Sequence, residues 1–493
     1  MQQNKISNKE KNTKKTKQTK IMLMLCFALG IGCGGFVLTG VLAATNSTVS
    51  VGYKTQLSKS VLRSEGEMAV ITTSKNGRPV RGSNVTYALQ FGHPDVEVVD
   101  NVIKLTSDVV ADGGIQLQLI TSVSGKEVNV IPFELLPVPP VDIDHARIIS
   151  SDPDLSGADI PLESIAGWSK TFTYNGKIYD KSTITSVKLS PQQINLKSMA
   201  FANCSNLKSV DLNNVTSMGQ FAFSGCDAIT SISISPANSA YKLIDTTIGS
   251  QTNWTPVAHT NNGYLINASD MSNGVISSTT GGIGGLAVGD VHFPSNIQKI
   301  EPYAFYGASM TALDLNDITD LEAAAFAHCN SIRTLTIDTI NTTYGLIDSD
   351  IINEYVTSTE NGYLVKKASS TSIIPTTGEY GGVACGNVKF RGDNLTIAKY
   401  AFVGTSSITK LDLSNVINIG TYAFFDGFSL TSIDLGVRES EPTTWESGCF
   451  FNLNSFGNVE VQGAWAKDIP AVKQFLYSQQ GVGLPSTWTV NNK

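Results

Sequence analysis

The amino-acid sequence predicts a β-rich solenoid, with one short parallel strand per coil and irregular back-turns, behind an all-β sandwich. Two observations lead to this fold class. The dipeptide Ala-Phe recurs six times between residues 200 and 424, in three pairs whose members lie 21 or 22 residues apart, and a fixed period of this length is typical of stacked repeats. The segment at residues 46–138 instead alternates apolar and polar residues in short runs, which is the pattern of half-buried strands.

Composition limits the functional classes. The chain has 493 residues, of which 41% are hydrophobic and 16% are charged, and its formal net charge is −7. This length exceeds one ordinary domain, so several domains or one extended repeat array are expected. The first twenty residues hold seven lysines and one glutamate, which leaves the rest of the chain strongly acidic. An acidic body argues against nucleic acid as a partner, because phosphate binding needs clustered Lys and Arg.

The N-terminus predicts export. A basic segment from Lys5 to Lys20 runs into an uncharged, largely apolar segment at residues 21–44, the order found in signal peptides. Residues 21–44 are also long enough to span a bilayer. Residues 1–44 are therefore either a cleaved signal peptide or a signal anchor that holds the protein on the membrane. Both alternatives predict an extracellular or cell-surface location.

The all-β segment is expected to be a small sandwich. Ile115, Leu117 and Leu119 alternate with polar residues, and Asn76-Gly77 and Ser124-Gly125 supply turns between strand-like runs. Residues 46–138 resemble the immunoglobulin-like modules of bacterial surface proteins. Residues 139–182 are then predicted to be a linker and an N-terminal lead-in to the solenoid.

The repeats occupy residues 183–462. After most of the Ala-Phe dipeptides comes the spacing apolar-x-x-apolar-x-apolar, as in Leu207, Val210 and Leu212, which is a leucine-rich repeat signature. Each coil is expected to contribute one strand and one back-turn, and stacking of coils buries what a single coil leaves exposed. The six dipeptides are Ala200-Phe201, Ala222-Phe223, Ala304-Phe305, Ala325-Phe326, Ala401-Phe402 and Ala423-Phe424.

The repeat from Leu207 to Cys226 resembles that of BspA-type leucine-rich surface proteins of bacteria. Two inserts near residues 241–288 and 344–386 resemble that family too, since Asn262-Gly263-Tyr264 recurs as Asn361-Gly362-Tyr363. Each insert is predicted to be a pair of short strands. The resemblance implies an exported cell-surface protein, often an adhesin, and it brings no catalytic residues. The chain departs from the family pattern where Ala308, Thr405 and Gly427 replace the repeat cysteine.

Residues 463–493 predict a C-terminal cap, which the open end of a solenoid requires. Asp468 can N-cap a short helix whose apolar face holds Val472, Phe475 and Leu476. Trp488 and Val490 are expected in a last strand.

The cysteines predict buried free thiols. Cys204, Cys226 and Cys329 each lie three residues after a repeat Phe, at the position that Ala, Thr and Gly fill in other repeats. Such a position is a small-residue slot in the core. The alternative is a disulfide between Cys204 and Cys226 on neighbouring coils. No catalytic motif, cofactor motif or Cys/His zinc spacing is present, so an enzyme is not expected.

A calcium loop is an alternative interpretation of one acidic segment. Asp152, Asp154, Ser156 and Glu163 have the spacing of EF-hand positions 1, 3, 5 and 12. However, Asp159 occupies a position that is usually aliphatic, and no helical pattern flanks the segment. We therefore interpret it as an acidic, turn-rich linker and expect no metal.

Two surface features are candidate binding residues. Arg391, Gly392 and Asp393 form an integrin-type tripeptide, which is also ordinary turn chemistry. The residue between the two apolar positions of each strand should face away from the core, which makes Lys188 with Asp211, and Lys389 with Asp412, predicted cross-strand neighbours. Toward residue 460 this face is expected to become acidic, through Asp412, Asp434 and Glu460, and to suit a basic partner.

The predicted function is non-catalytic protein–protein interaction or adhesion through the repeat face of an exported bacterial surface protein. The partner would be a protein or glycan outside the cell, with the membrane involved only through an uncleaved N-terminal segment. The alternative is a structural spacer or envelope component that has no single dedicated ligand.

Overall fold

The computed structural model describes residues 52–493 except 64, 81–83, 110–113, 138–140, 249–254, 352–353, 368–372, 375–380, 406, 443 and 479. The predicted signal segment, residues 1–44, lies outside the described residues. Within the described part of the chain, no helix has the length and apolar character that crossing a membrane requires.

The N-terminal region is built from strands. In chain order they are β1 (Tyr53–Leu57), β2 (Val61–Leu62), β3 (Met68–Lys75), β4 (Arg78–Pro79), β5 (Val85–Leu89), β6 (Val96–Val99), β7 (Val102–Leu105), β8 (Ile115–Val123) and β9 (Lys126–Leu135). One sheet has the order β1-β3-β7-β6, with β4 paired to β3, and the other has the order β2-β9-β8-β5.

Both sheets contribute to one hydrophobic core. Ile71 and Ile103 from the first sheet and Leu119 and Phe133 from the second are buried in the same cluster. The strands alternate buried and exposed residues, as the period-2 pattern of the sequence predicts. The Ser124-Gly125 turn joins β8 to β9 with φ of 50° and 74°, the left-handed pair that a tight hairpin needs. The immunoglobulin-like assignment of this region stays a prediction.

The solenoid follows, and its elements fall into three blocks. The first block contains β10 (His145–Ser150), β11 (Asp159–Pro161), α1 (Leu162–Ile165), β12 (Thr171–Tyr174), β13 (Lys177–Asp180), β14 (Ile184–Leu189), β15 (Asn195–Leu196), β16 (Ser209–Asp211), β17 (Ser217–Met218) and β18 (Ser231–Ser233). The second contains β19 (Tyr241–Asp245), β20 (Pro256–Val257), β21 (His259–Thr260), β22 (Gly263–Asn267), β23 (Val275–Ile276), β24 (Ala287–His292), β25 (Lys299–Ile300), β26 (Ser309–Asp314), β27 (Asp320–Leu321) and β28 (Thr334–Thr336).

The third block ends the described chain. It contains β29 (Tyr344–Asp348), β30 (Ser358–Thr359), β31 (Gly362–Lys366), β32 (Ile373–Ile374), β33 (Ala384–Lys389), β34 (Leu395–Ile397), β35 (Ile408–Asp412), β36 (Val416–Ile419), β37 (Ser432–Val437), β38 (Asn458–Gln462), α2 (Ile469–Leu476) and β39 (Thr489–Asn492). Short 3-10 helices lie at Lys181–Thr183, Asp270–Ser272 and Trp465–Lys467.

Each block has its own front sheet and its own core. The repeat strands pair in parallel: β14-β16-β18 in the first block, β24-β26-β28 in the second and β33-β35-β37-β38-β39 in the third. Narrower sheets of two or three strands lie elsewhere on the coils: β15-β17, β23-β25-β27 and β32-β34-β36. A parallel β-solenoid is therefore present, as the sequence predicts, but its front is divided into three sheets rather than continuous.

The repeat phenylalanines stack coil on coil. Phe305 and Phe326 lie 5.5 Å apart at 5°, and Phe402 and Phe424 lie 5.5 Å apart at 3°. Phe450 stacks on Phe424 at 5.5 Å and 9°, so a further coil exists in which Cys449 replaces the Ala of the dipeptide. The Ala-Phe pattern does not include this coil because Cys449 stands in the place of Ala.

Two left-handed residues shape each back-turn. The residue directly before the Ala of the dipeptide has φ between 53° and 59° in all six repeats, for example in Tyr400 and Tyr422. The position two residues after the repeat Phe is also left-handed, and Asn, Asp, Gly or His occupies it. These residue types adopt that conformation at the least cost. The turn residues were not identifiable from spacing alone.

The two inserts are hairpins that end one sheet and begin the next. β19 pairs antiparallel with β22, and β29 pairs antiparallel with β31, as predicted for two short strands in each insert. β21 and β30 then close the preceding sheets in antiparallel register. Antiparallel strands thus interrupt the expected run of one parallel strand per coil, because each hairpin occupies the sheet edge where the next parallel strand would add.

Matching buried polar contacts hold both inserts. Asn238 donates from Nδ2 to the Val215 carbonyl at 2.7 Å, and its Oδ1 accepts from the Tyr241 amide at 2.9 Å. Asn341 makes the equivalent bonds one block later. A Cβ at Gly263 would lie 1.8 Å from the Ile244 carbonyl oxygen, so the recurring Asn-Gly-Tyr segment needs glycine for close approach of two strands.

The predicted linker and lead-in at residues 139–182 is packed onto the first coils. Its residues Ala146, Ile148 and Ile160 belong to the core of the first block, and β10 pairs antiparallel with β14. Polar contacts join it to the N-terminal region, where the Ser156 hydroxyl donates to the Gly66 carbonyl at 3.0 Å. The lead-in therefore acts as the first layer of the solenoid.

The C-terminal segment contains the predicted helix and strand. The Asp468 carboxylate accepts from the Ala471 amide at 3.1 Å and so caps α2. Val472 and Leu476 are buried in the third core. β39 adds in parallel to β38 and is the last strand of the third sheet.

The stacking predicts a local cost for removing one ring. Phe326 is 5% exposed and contacts Phe305 and Phe293. Phe326→Ala should lower the free energy of unfolding by about 3–5 kcal/mol, as other truncations of buried Phe do. Amide hydrogen exchange should show the loss of protection confined to the coils that touch residue 326, since each repeat contacts only its neighbours.

Phe456 provides the matched control because its side chain is 72% exposed. Phe456→Ala should change the free energy of unfolding by less than about 0.5 kcal/mol. Equal thermal unfolding of Phe326→Ala and the wild type would show that the coil stacking is not what holds the second block.

Candidate functional site

The candidate site is the outer row of the third front sheet, defined by Lys389, Asp412, Asp434, Glu460 and Asn491. On each strand the neighbouring apolar residues, such as Leu411 and Ile433, are buried, and the residue after them points out because side chains alternate along a strand. The five residues are direct partners in the strand register. Adjacent strands lie about 4.8 Å apart, so the row presents charges at a regular spacing.

Lysines lie at both ends of the acidic run. Lys389 Nζ lies 3.3 Å from Asp412 Oδ2, which confirms that predicted pair. Lys493 Nζ lies 2.8 Å from Asp434 Oδ2 and 3.4 Å from Glu460 Oε2. The acidic face expected toward residue 460 is therefore partly neutralised. Sequence reasoning missed Lys493, although its position two residues after Asn491 indicates the same face of β39.

The ionisation of Asp412 follows from these contacts. Burial opposes the charged form, but hydrogen bonds from Ser414 and the nearby Lys389 ammonium outweigh it and lower the pKa of Asp412. The opposite holds in the second sheet, where burial raises the pKa of Asp314 despite the Asn316 amide and His292. Asp412 is thus a firm anion at neutral pH.

The outer row of the second sheet spans fewer strands, whereas that of the first sheet runs across β11, β10, β14, β16, β18 and β21. Lys188 is the register partner of Asp211 as predicted, but its Nζ lies 3.5 Å from Asp108 of the N-terminal region. Asp108 of the N-terminal region thus competes with Asp211 for this lysine. The spacing of residues along the repeat strands cannot reveal such a contact between distant segments.

One serine lies beside a histidine on the first sheet. The Ser233 hydroxyl and His259 Nδ1 are 3.0 Å apart. In a hydrolase triad the carboxylate binds Nδ1 and leaves Nε2 for the serine, so this pair has the wrong nitrogen. His292, Asp314 and Thr336 lie side by side on three parallel strands, which is not the folded-back geometry of a triad.

The Arg391-Gly392-Asp393 tripeptide lies on a bend after β33. The Arg391 amide donates to the Tyr363 hydroxyl at 2.9 Å, and its Nη2 donates to the Ile351 carbonyl at 2.5 Å. Gly392 has φ of 105°, a conformation that side chains with a Cβ rarely adopt. Gly392 and Asp393 are exposed. Arg391 is instead held by the second insert, through its contacts with Tyr363 and Ile351.

The candidate calcium oxygens have separate partners. Asp154 Oδ2 accepts from Lys177 Nζ at 2.8 Å, and that hydrogen bond lowers the pKa of Asp154. Ser156 is buried, and its hydroxyl donates to a backbone carbonyl. Asp152 accepts from the Asp154 amide at 2.9 Å, and Glu163 Oε2 lies 3.6 Å from Lys197 Nζ. These contacts fit the turn interpretation of this segment.

The cysteines of the described residues are free and buried, as predicted. Cys226 and Cys329 donate from Sγ to the carbonyls of Phe201 and Phe305, each at 3.1 Å. Burial raises the pKa of Cys329 to about 12 and that of Cys385 to about 12. These thiols are unreactive core residues, since the thiolate is the nucleophile.

Aromatic rings form rows on the back-turn surface, which the sequence analysis did not identify. Tyr400 and Tyr422 stack at 5.9 Å and 17°, and Phe425 stacks on Phe451 at 6.1 Å and 2°. In another row His328 lies 4.7 Å from Tyr306, and burial lowers the pKa of His328 to about 4. The sequence does contain a signal for part of these rows, because an aromatic residue directly precedes the repeat Ala in several coils.

Comparison with known proteins identifies a family and a similar solved structure. The sequence matches the family described as BspA type Leucine rich repeat region in six copies, at residues 172–276, 285–348 and 380–469, which is just over half of the chain. No curated protein matches the chain. A crystal structure of a leucine rich cell surface protein from Faecalibacterium prausnitzii is similar at 17% identity, with 66% of this chain and 86% of that chain covered and a TM-score of 0.24.

The lowered pKa of Asp412 predicts a pH-dependent contribution to stability. Asp412 stabilises the fold at pH values above its unfolded pKa, about 3.9, and this stabilisation is lost as pH falls through the lower folded pKa. Asp412→Asn should cost about 0.2–1 kcal/mol at neutral pH and progressively less as pH falls through the folded pKa. Urea unfolding of the wild type and the variant at a series of pH values measures the difference, and a cost that does not change with pH would contradict the prediction.

The tripeptide geometry predicts no role in cell attachment. Because the Arg391 guanidinium is bound to a backbone carbonyl, Asp393→Glu should leave attachment of integrin-bearing cells to the immobilised protein within about twofold of the wild type. Loss of attachment with an unchanged circular dichroism spectrum would instead establish the tripeptide as an integrin ligand.

Proposed function

This chain belongs to the BspA type leucine-rich repeat family, and on that premise we propose that it is an exported bacterial surface protein that binds a partner outside the cell without catalysis. The observation that carries the proposal is the outer row of the third sheet. Five strands present Lys389, Asp412, Asp434, Glu460 and Asn491 in register. A flat, periodic array of partly exposed charges suits recognition of an extended surface rather than of a small molecule.

A protein partner fits this row better than a glycan. Sugar rings bind to free aromatic faces, whereas Tyr400 with Tyr422 and Phe425 with Phe451 cover each other's faces by stacking at 17° and 2°. The row itself has a lysine followed by three acidic residues, and Lys493 beside it pairs with two of these. Such a pattern selects a partner by complementary charge and orientation.

The remaining segments fit a role in display. The basic and apolar residues 1–44 would direct export, either as a cleaved signal peptide or as an anchor. Residues 46–138 would form an immunoglobulin-like module between this segment and the solenoid. The packed lead-in, with its Ser156 to Gly66 hydrogen bond, would hold the solenoid at a defined angle to that module.

Catalysis is not part of the proposal. The Ser233–His259 pair has the wrong ring nitrogen for a triad. The cysteines of the described chain are buried, and burial raises the pKa of Cys329 and Cys385, so that neither supplies a thiolate nucleophile.

Charge reversal on the row tests the proposal. The full chain and the variant Asp412→Lys/Glu460→Lys would be passed over immobilised extracellular-matrix proteins, host-cell surface proteins and bacterial glycans, with binding followed by surface plasmon resonance. We expect the wild type to bind a protein ligand, binding to weaken as salt rises, and the variant to lose at least tenfold in affinity.

Glu163→Lys is the matched control because its side chain is 86% exposed and lies on the first block. This variant should bind as the wild type does. Binding that both variants retain would place the partner on another surface. If the wild-type chain binds none of the three classes of immobilised ligand, the result would favour the alternative function as a structural spacer.

A further inference from the structure

A histidine and two aspartates converge where the chain enters the first block of the solenoid. Among the described residues that could hold a metal ion, Asp142, His145 and Asp159 form a group in which one ligand atom from each side chain lies within 4.8 Å of the others. Neither the repeat pattern nor the predicted calcium spacing includes this set, although Asp159 lies within that acidic segment.

Strand register brings two of the three side chains together. β10 and β11 are antiparallel, with His145 opposite Pro161 and Arg147 opposite Asp159. His145 and Asp159 are therefore diagonal neighbours on one face of the pair, within reach of each other. Asp142 comes from the turn before β10, where the His145 amide donates to the Asp142 carbonyl at 3.2 Å.

Two of the converging atoms lack hydrogen-bond partners. The atoms His145 Nδ1 and Asp159 Oδ1 are both shielded from solvent and neither has a hydrogen-bond partner among the described residues, although their side chains are 30% and 26% exposed. They lie 3.7 Å apart, close enough for an ion pair when His145 is protonated but too far for a hydrogen bond. Buried polar atoms nearly always have a hydrogen-bond partner, so a ring nitrogen and a carboxylate oxygen that face each other without one point to a ligand between them.

The turn is held in place from the solenoid side. The Asp142 amide donates to Asp159 Oδ2 at 3.2 Å, which orients that carboxylate. The Asp144 amide donates to Gln193 Oε1 at 2.6 Å, and Gln193 Nε2 donates to Asp144 Oδ1 at 3.2 Å. Gln193 is buried, so the turn is tied to the first coil before any ion binds.

We propose that Asp142, His145 and Asp159 bind one Zn²⁺ ion that fastens the N-terminal junction of the solenoid. Zinc bonds to histidine nitrogen and carboxylate oxygen are about 2.0–2.2 Å long. Two such ligands in tetrahedral geometry are about 3.4 Å apart, close to the observed 3.7 Å between His145 Nδ1 and Asp159 Oδ1.

The donor set selects this class of ion. Two carboxylates balance the charge of one divalent cation, and imidazole suits zinc better than calcium or magnesium, which prefer oxygen ligands. The exposed Asp142 side chain can swing to complete the set, whereas His145 and Asp159 are fixed on strands. The ion would join the turn that follows the N-terminal region to the first front sheet.

Zinc titration of the full chain, expressed without a polyhistidine tag and freed of metal by a chelator, tests the proposal. Isothermal titration with ZnCl₂ should give one site per chain, and zinc should raise the melting temperature because it binds only the folded state. His145→Ala and Asp142→Asn should each weaken binding at least tenfold. CaCl₂ should bind at least tenfold more weakly than ZnCl₂.

Controls separate this site from other histidines and from the thiols. His292→Ala removes a histidine that also lies beside an aspartate, Asp314, on a neighbouring strand, and it should leave the affinity unchanged. Asp142→Asn alters an exposed side chain, so it keeps the test valid if His145→Ala does not fold. Three results would overturn the proposal: the absence of a saturable zinc site, zinc binding by both site variants as tight as that of the wild type, or an affinity for calcium equal to that for zinc.

Discussion

The stacking of one coil on the next is the interaction on which the rest of the structure depends. A single coil has one short strand and a back-turn, and neither can bury its own apolar side. The stacked rings of Phe402, Phe424 and Phe450, each 5.5 Å from the next, make these partial surfaces into the continuous core of the third block. Every coil must place its repeat phenylalanine in register with that of the neighbouring coil. The parallel strands, the outer charged row and the back-turn conformation all follow from this requirement.

The inserts show how a solenoid accepts extra chain without losing its core. Each hairpin closes one front sheet and opens another, while the coils before and after it stay in contact: the Ser309 hydroxyl donates to the Cys226 carbonyl at 2.8 Å across the first insert. Asn238 and Asn341 satisfy the backbone groups that the change of direction frees. Buried asparagines fit here because each can donate and accept at once, and the two inserts solve the same problem with the same residue.

Charge on the outer row is set by this stacking as well. In-register strands place like side chains one above another, and successive acidic residues would repel each other without compensation. Lys389 and Lys493 lie at the two ends of the acidic run and pair with Asp412, Asp434 and Glu460. The row can therefore remain charged and partly exposed, as a recognition surface must, while the sheet beneath it stays stable.

The sequence alone determined the repeat period, the parallel strands, the buried phenylalanines and the register of Lys389 with Asp412, because each depends on local periodicity. It could not determine what depends on contacts between distant segments. Lys188 pairs with Asp108 across the junction, and Lys493 pairs with Asp434 and Glu460 of the acidic row. The Cys449-Phe450 coil lacks the Ala that marks the other coils. The convergence of Asp142, His145 and Asp159 likewise needs the antiparallel pairing of β10 with β11, and a one-residue change of register would send these side chains to opposite faces.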